Sequence, residues 1–380
     1  PEGRHGVDPL PPPAAPALTP AEPALVVWVG RLLALFVVLY GIQGTYAPEL
    51  AGRDVALQNM VFLYVPFALL YQLLRGLEFN RRLLRDCLRV IVVLALVFSL
   101  IGFYEYATKT IILNPKLVVA NDLHTYFTVN SVFFDPDIFG RFLALTIVLL
   151  AGLLLYPRSQ REQGITVAAL AVLWACLVLT LSRSSLGALL VGLAVLTALR
   201  YKPSRALVMA VVVIGLGAGA VAASPTTFGL NQGINGASSG RGGLVSGGLS
   251  LFVDRPVWGY GSGSFVKEYQ LHHRHSASTL SASHTIPVTI AAEQGLIGEL
   301  AYVALVAVAL FCLLSRARGD PVRSAVAAAF AGLVFHTMLY ADFLEDPVPW
   351  ALLGFGVALA SRSAAPDAIA EPVRAAVLSG

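Results

Sequence analysis

Charge is scarce in this sequence: Asp, Glu, Lys and Arg make up 13% of 380 residues, against 57% hydrophobic. A soluble domain carries roughly a quarter charged residues. Half that share excludes an ordinary soluble enzyme and is the composition of a polytopic membrane protein. Cysteine is scarce too. Cys87, Cys176 and Cys312 lie far apart, in or beside apolar stretches; they offer no disulfide framework and no metal-ligand spacing, and read as packing residues. None of the apolar runs has the short core and small-residue cleavage site of a signal peptide. With proline at position 1, the chain reads as an internal start of a longer parent.

What is present is a series of long apolar runs. A hydrocarbon core about 30 Å thick needs roughly 20 apolar residues per helix. Ten candidate spans meet this approximately: 24–40, 55–74, 88–107, 139–156, 165–181, 185–200, 206–223, 286–314, 323–341 and 348–361. Basic residues fall into alternate connections: Arg75, Arg81, Arg82, Arg85 and Arg89, then Arg158 and Arg161, then Arg200, Lys202 and Arg205, then Arg316, Arg318 and Arg323. The positive-inside rule then places both termini in the cytoplasm and the other connections outside. That pattern accounts for thirteen of the 26 Lys and Arg, so a net charge of +4 calls for no nucleic-acid partner.

The expected fold is therefore all-α, an integral membrane protein of about ten transmembrane helices with a large extracytoplasmic loop. Residues 1–23, rich in Pro and Ala, read as a disordered cytoplasmic tail, and 362–380 as a second tail. Between them, 24–361 forms the transmembrane domain, with outside loops 108–138 and 224–285 too long to be mere turns.

Polar residues gather on the outside. In the larger loop, GYGSGSF (259–265) contains closely spaced glycines, but no strand–helix unit surrounds them, so they serve a tight turn rather than a nucleotide. A short helix is expected around 242–253, ended by Asp254-Arg255-Pro256. His272, His273 and His275 lack the i, i+4 spacing and carboxylate partner of a good metal site and read as a solvated loop.

Three arginines stand out. Arg183, in TLSRSS, lies between two spans with almost no loop, and Arg141 lies in the first turn of a span. An arginine at bilayer depth costs several kcal/mol unless paired or solvated. Arg141 has a plain alternative in snorkelling, or in pairing with Asp135 or Asp137. Arg241 is set among glycines that let the backbone approach a ligand; converging guanidinium groups make a diphosphate clamp, though an ordinary loop arginine would look the same. His284 has an unperturbed pKa of about 6.5, suited to a general base, and a helix-start histidine also serves as a cap. Glu293, about two and a half turns on, needs a partner, for which an arginine or His284 would suffice. Gly295 and Gly298 read as a face for close helix packing.

Taken in order, these elements resemble the O-antigen ligase and polymerase family of bacterial envelope glycosyltransferases. The family's motif in the large periplasmic loop is His, a polar residue, nine residues and G-x-x-G; here it is His284, Thr285, residues 286–294 and Gly295-Leu-Ile-Gly298, with Thr285 replacing the usual Asn, Ser or Gln. An LSRS element ends one span (Leu181 to Ser184), Arg241 opens the loop, Asp254-Arg255-Pro256 and Gly259-Tyr-Gly261 form its turn, and Asp135-Pro136-Asp137 stands where the family has N-P-N. The similarity covers about 135–300.

The resemblance implies a GT-C-like transferase that needs no metal or other cofactor. Its donor would be an undecaprenyl-diphosphate-linked glycan, and its acceptor a glycan, lipid or protein hydroxyl. Arg183 and Arg241 would bind the diphosphate, and His284 would orient or activate the acceptor. Glu293, Arg141 and Arg255 would support them. A polysaccharide polymerase of the same family is the alternative, and a transporter or flippase for lipid-linked glycans is the alternative of another class; the latter should show charged or broken helices near mid-membrane.

Overall fold

The computed structural model describes residues 24–47, 50–113, 117–118, 121, 127–154, 159–201, 204, 241–272, 283–315, 317–340 and 343–362. Every regular element among them is helical. In chain order these are α1 (Ala24–Gly44), α2 (Leu50–Asn59), α3 (Val65–Gly76), α4 (Arg81–Thr108), α5 (Pro136–Leu154), α6 (Gln160–Leu179), α7 (Arg183–Arg200), α8 (Arg241–Asp254), α9 (Phe265–His272), α10 (Ile286–Leu314), α11 (Pro321–Thr337) and α12 (Pro347–Arg362). A π-helical turn, Met60–Tyr64, joins α2 to α3. It falls just before Pro66, whose missing N–H forbids a regular helical bond there.

Among the described residues, six stretches are long and apolar enough to cross a membrane: Ala24–Gly44, Arg53–Gly76, Arg81–Thr108, Gln160–Leu179, Arg183–Arg200 and Ile286–Leu314. With the shorter apolar helices beside them, they make this a polytopic membrane protein. The expected span 206–223, the tail 1–23 and, apart from Arg362 at the end of α12, the tail 362–380 lie outside the described residues. The run expected over 323–341 is helical only to Thr337, because Met338 and Leu339 turn back to bond the carbonyls of Phe335 and His336.

Helix α11 forms the centre, packed against α5 and α7; α1 lies against α10, and α3 against α12. Small residues make this closeness possible: Ala327, Ala328 and Ala329 are fully buried, and a Cβ on Gly332 would come within 2.6 Å of the Ala188 carbonyl. Outer faces remain apolar. Leu69 is 67% exposed and Leu100 65%, which suits lipid and not water.

Several helix ends meet at one end of the bundle. There α1, α6 and α11 finish, while α5, α7, α10 and α12 begin, held by bonds such as Gln43 to Gln294, Asp137 to Ser184 and Arg141 to Asp346. Arg141, Arg183, Arg255, His284 and Glu293 lie at this end or in its loops.

Candidate functional site

The start of α7 is built from serines. Ser182 is its N-cap, accepting from the Ser185 N–H through Oγ at 3.2 Å, and Arg183 is the first helical residue, exposed. Asp137, in the first turn of α5, receives hydrogen bonds from Ser182 Oγ and from Ser184 Oγ (3.0 Å), while its main-chain carbonyl receives one from Ser185 Oγ (3.1 Å). Asp135 fixes this turn by accepting from the Asp137 N–H at 2.7 Å. The altered Asp-Pro-Asp element is thus the acceptor for the serines around Arg183.

On the opposite side of the serines stands His336, fully buried on α11. Its Nε2 lies 3.2 Å from Ser184 Oγ and 3.2 Å from Ser185 Oγ. Both serine hydroxyl protons already go to Asp137, so their lone pairs face His336, and the network assigns the proton to Nε2. The His336 ring then contacts Tyr340 (centroids 5.5 Å), and Tyr340 contacts His284 (5.8 Å). A continuous line of side chains, Asp137, Ser184 and Ser185, His336, Tyr340, His284, therefore links the arginine helix start to the loop histidine.

His284 is half-buried and adopts a left-handed backbone, φ 56°, unusual for a residue with a side chain. It precedes the N-cap of α10, which is Thr285, so His284 is not the cap itself. Ser283 Oγ accepts from the Thr285 N–H (3.1 Å), and Ser283 and Thr289 share a hydroxyl–hydroxyl bond of 2.7 Å. These contacts hold the turn that presents the histidine.

Arg141 is 2% exposed and pairs with Asp346, which follows α11 by a short loop. That carboxylate is in addition to the partners the sequence offered. Arg255 is exposed, its guanidinium 4.3 Å above the ring of Tyr260. Burial and the nearby Asp254 carboxylate push that phenol above its ordinary range. Arg241 opens α8, but its side chain lies outside the described residues, as do His273 and His275. His272 is engaged within its own helix, its Nδ1 2.9 Å from the Glu268 carbonyl.

Two readings of α10 need correction. Glu293 answers neither to an arginine nor to His284 among the described residues; its carboxylate accepts from the backbone N–H groups of Gly263 and Phe265, each at 2.9 Å, and so anchors the start of α9. Gly295 does not make a helix-packing face. It breaks α10, with φ 65° and ψ −163°. The turn 256–261 enters this break: Leu296 N–H bonds Pro256 O (2.8 Å), Tyr260 N–H bonds Ala292 O (3.1 Å) and Gly261 N–H bonds Glu293 O (2.7 Å). A Cβ on Gly295 would lie 2.4 Å from Val257 O, and one on Gly259 would lie 2.3 Å from Glu293 O, so the approach is backbone to backbone. Gly298 makes room for the side chain of Gln294 on the same helix. Gln294 O in turn accepts from Gln43 of α1 at 3.0 Å.

Beside this knot is a small cleft of about 40 Å³, lined by Phe36, Tyr40, Ile290, Glu293, Phe343 and Glu345 among others. Its lining includes two carboxylates and no basic side chain, the reverse of what a diphosphate needs. Among the described residues no three His, Cys, Asp or Glu side chains gather as a metal site requires.

The fold defines a class, a multi-span membrane protein whose helix ends gather polar and ionisable side chains at one end. Residues 168–303, about a third of the chain, match the family model described as O-antigen ligase, Wzy_C, so over this stretch the chain is similar to that family. The matched stretch contains Arg183, Arg241, Arg255, His284 and Glu293, while Asp137, Arg141, His336 and Tyr340 lie beyond it. No curated protein matches the chain.

Proposed function

We propose that the protein transfers a glycan from an undecaprenyl-diphosphate-linked donor to an acceptor hydroxyl at the outer face of the cytoplasmic membrane. The observation that carries this reading is the side-chain line from the Ser182–Ser185 helix start, which holds Arg183, to His284, because the family's two motifs meet through it. Arg183, with Arg241 opening α8, binds the diphosphate and offsets charge developing on the leaving group. His284 orients or deprotonates the acceptor hydroxyl that attacks the anomeric carbon; the bond to the diphosphate oxygen breaks, and undecaprenyl diphosphate leaves. In this reading the helix ends that carry the site face outward, both termini are cytoplasmic, about ten helices span the bilayer in a GT-C-like arrangement, and loops 108–138 and 224–285 cover the site.

One observation touches the transporter or flippase reading: α10 is broken at Gly295, and broken helices build transporter sites. Here, however, the turn 256–261 takes up backbone groups on both sides of the break. That is the bonding of a structural joint and favours the transferase. The test is the purified protein in lipid, supplied with undecaprenyl-diphosphate-linked glycan and a panel of glycan, lipid and protein acceptors. Glycan joined to one acceptor with release of undecaprenyl diphosphate is expected. Polymerised glycan would assign the polymerase instead, and movement of the donor across the bilayer without transfer would overturn the reading.

A further inference from the structure

His336 is a second histidine at this end of the bundle, and neither the motifs nor the family match includes it. It lies on α11, fully buried, in a helix otherwise almost wholly apolar. An ionisable side chain in such a helix is costly to keep unless it has a task. Its surroundings show one. Nε2 lies 3.2 Å from each of the two serines that follow Arg183, and its ring lies 5.5 Å from that of Tyr340, which in turn lies 5.8 Å from that of His284. Asp137 receives both serine hydroxyls from the other side, so His336 completes a bonding pattern that fixes their orientation. A Cβ on Gly140 would come within 2.7 Å of Ser185 Oγ, so α5 is also pressed close against this point. The first turn of α7 is thereby clamped between α5 and α11, and α11 ends where Tyr340 backs His284.

We propose that His336 is a positioning residue for glycan transfer, holding the Arg183 helix start in register with His284 by way of Tyr340. This rests on the transferase reading above. It makes α11 the shared backing of donor and acceptor groups, so one side chain sets the distance between the diphosphate clamp and the histidine. A leucine at 336 fills similar space but gives the serines no donor, leaving them held from the Asp137 side alone and loosening the Arg183 helix start against α11. Glutamine keeps an N–H donor at a similar reach.

The experiment compares wild type, His336→Leu and His336→Gln, each purified in lipid. It measures kcat and KM with undecaprenyl-diphosphate-linked glycan, binding of undecaprenyl diphosphate alone, and the unfolding temperature. His336→Leu is expected to lower kcat by roughly 10- to 100-fold, the loss that a misplaced reacting group brings, and to weaken undecaprenyl diphosphate binding. His336→Gln is expected to restore most of both. The inference is overturned if His336→Leu stays within about twofold of wild type in kcat and binding, or if His336→Gln regains the unfolding temperature without regaining kcat. A wild-type protein that neither binds undecaprenyl diphosphate nor transfers glycan would defeat the transferase reading itself, and the inference with it. Wild-type activity with an unaffected His336→Leu defeats the inference alone.

Discussion

Individual residues carry roles that their neighbours in sequence do not reveal. Arg141 reads from sequence as a cation near two aspartates, yet it is buried against Asp346, some two hundred positions later. Taking a carboxylate away from a buried guanidinium is costly, so Asp346→Ala should destabilise by up to about 3–5 kcal/mol, while Arg141→Met with Asp346→Leu should be milder. Thermal unfolding in detergent checks both. Glu293 is a comparable case. Its two backbone bonds are made to residues about thirty positions earlier, so Glu293→Ala strands the N–H groups of Gly263 and Phe265, at about 1–3 kcal/mol each. A lowered unfolding temperature is expected, with faster hydrogen exchange at Phe265. For Arg183, replacement by Ala should lower transfer by at least about 100-fold, as loss of one preorganised charge donor does. Lysine should restore only part, since it lacks the bidentate fork; steady-state transfer rates decide this.

Helices were legible in the sequence wherever long apolar runs made them, because in lipid a backbone must satisfy itself internally and composition alone sets the element. α1, α4 and α10 lie close to where hydropathy puts them, and the short α8 ends at Asp254 as its turn residues require. The break in α10 was not legible as a break. Gly295 and Gly298 have the spacing of a packing face, and only the arrival of 256–261 shows that Gly295 needs positive φ and bare backbone contact. Gly295→Ala should therefore destabilise by more than about 2 kcal/mol, combining strain at positive φ with a 2.4 Å clash. Gly164→Ala in α6, where no atom lies within 4 Å, should be neutral or stabilising by up to about 1 kcal/mol. Unfolding curves of the two variants side by side test this.

Across the whole molecule, the ends of the proposed site were readable and its middle was not. His284 and Arg183 stood out because each is an ionisable residue beside an apolar span. His336, in the run LVFHTMLY, was not singled out: it lies beyond the resembling stretch, and nothing in one dimension shows α11 packed between α5 and α7. The bundle's topology brings it there. The central claim is that the Arg183 helix start and His284 act as one site for glycan transfer. Its most direct measurement is the transfer rate of wild type, His284→Ala, Arg183→Ala and the double variant in lipid, with undecaprenyl-diphosphate-linked glycan as donor. Residues of one catalytic unit are strongly non-additive, so each single variant should lose nearly all transfer, and the double variant little more, with folding retained. Wild-type rates in His284→Ala, or losses that simply multiply in the double variant, would contradict a single shared site.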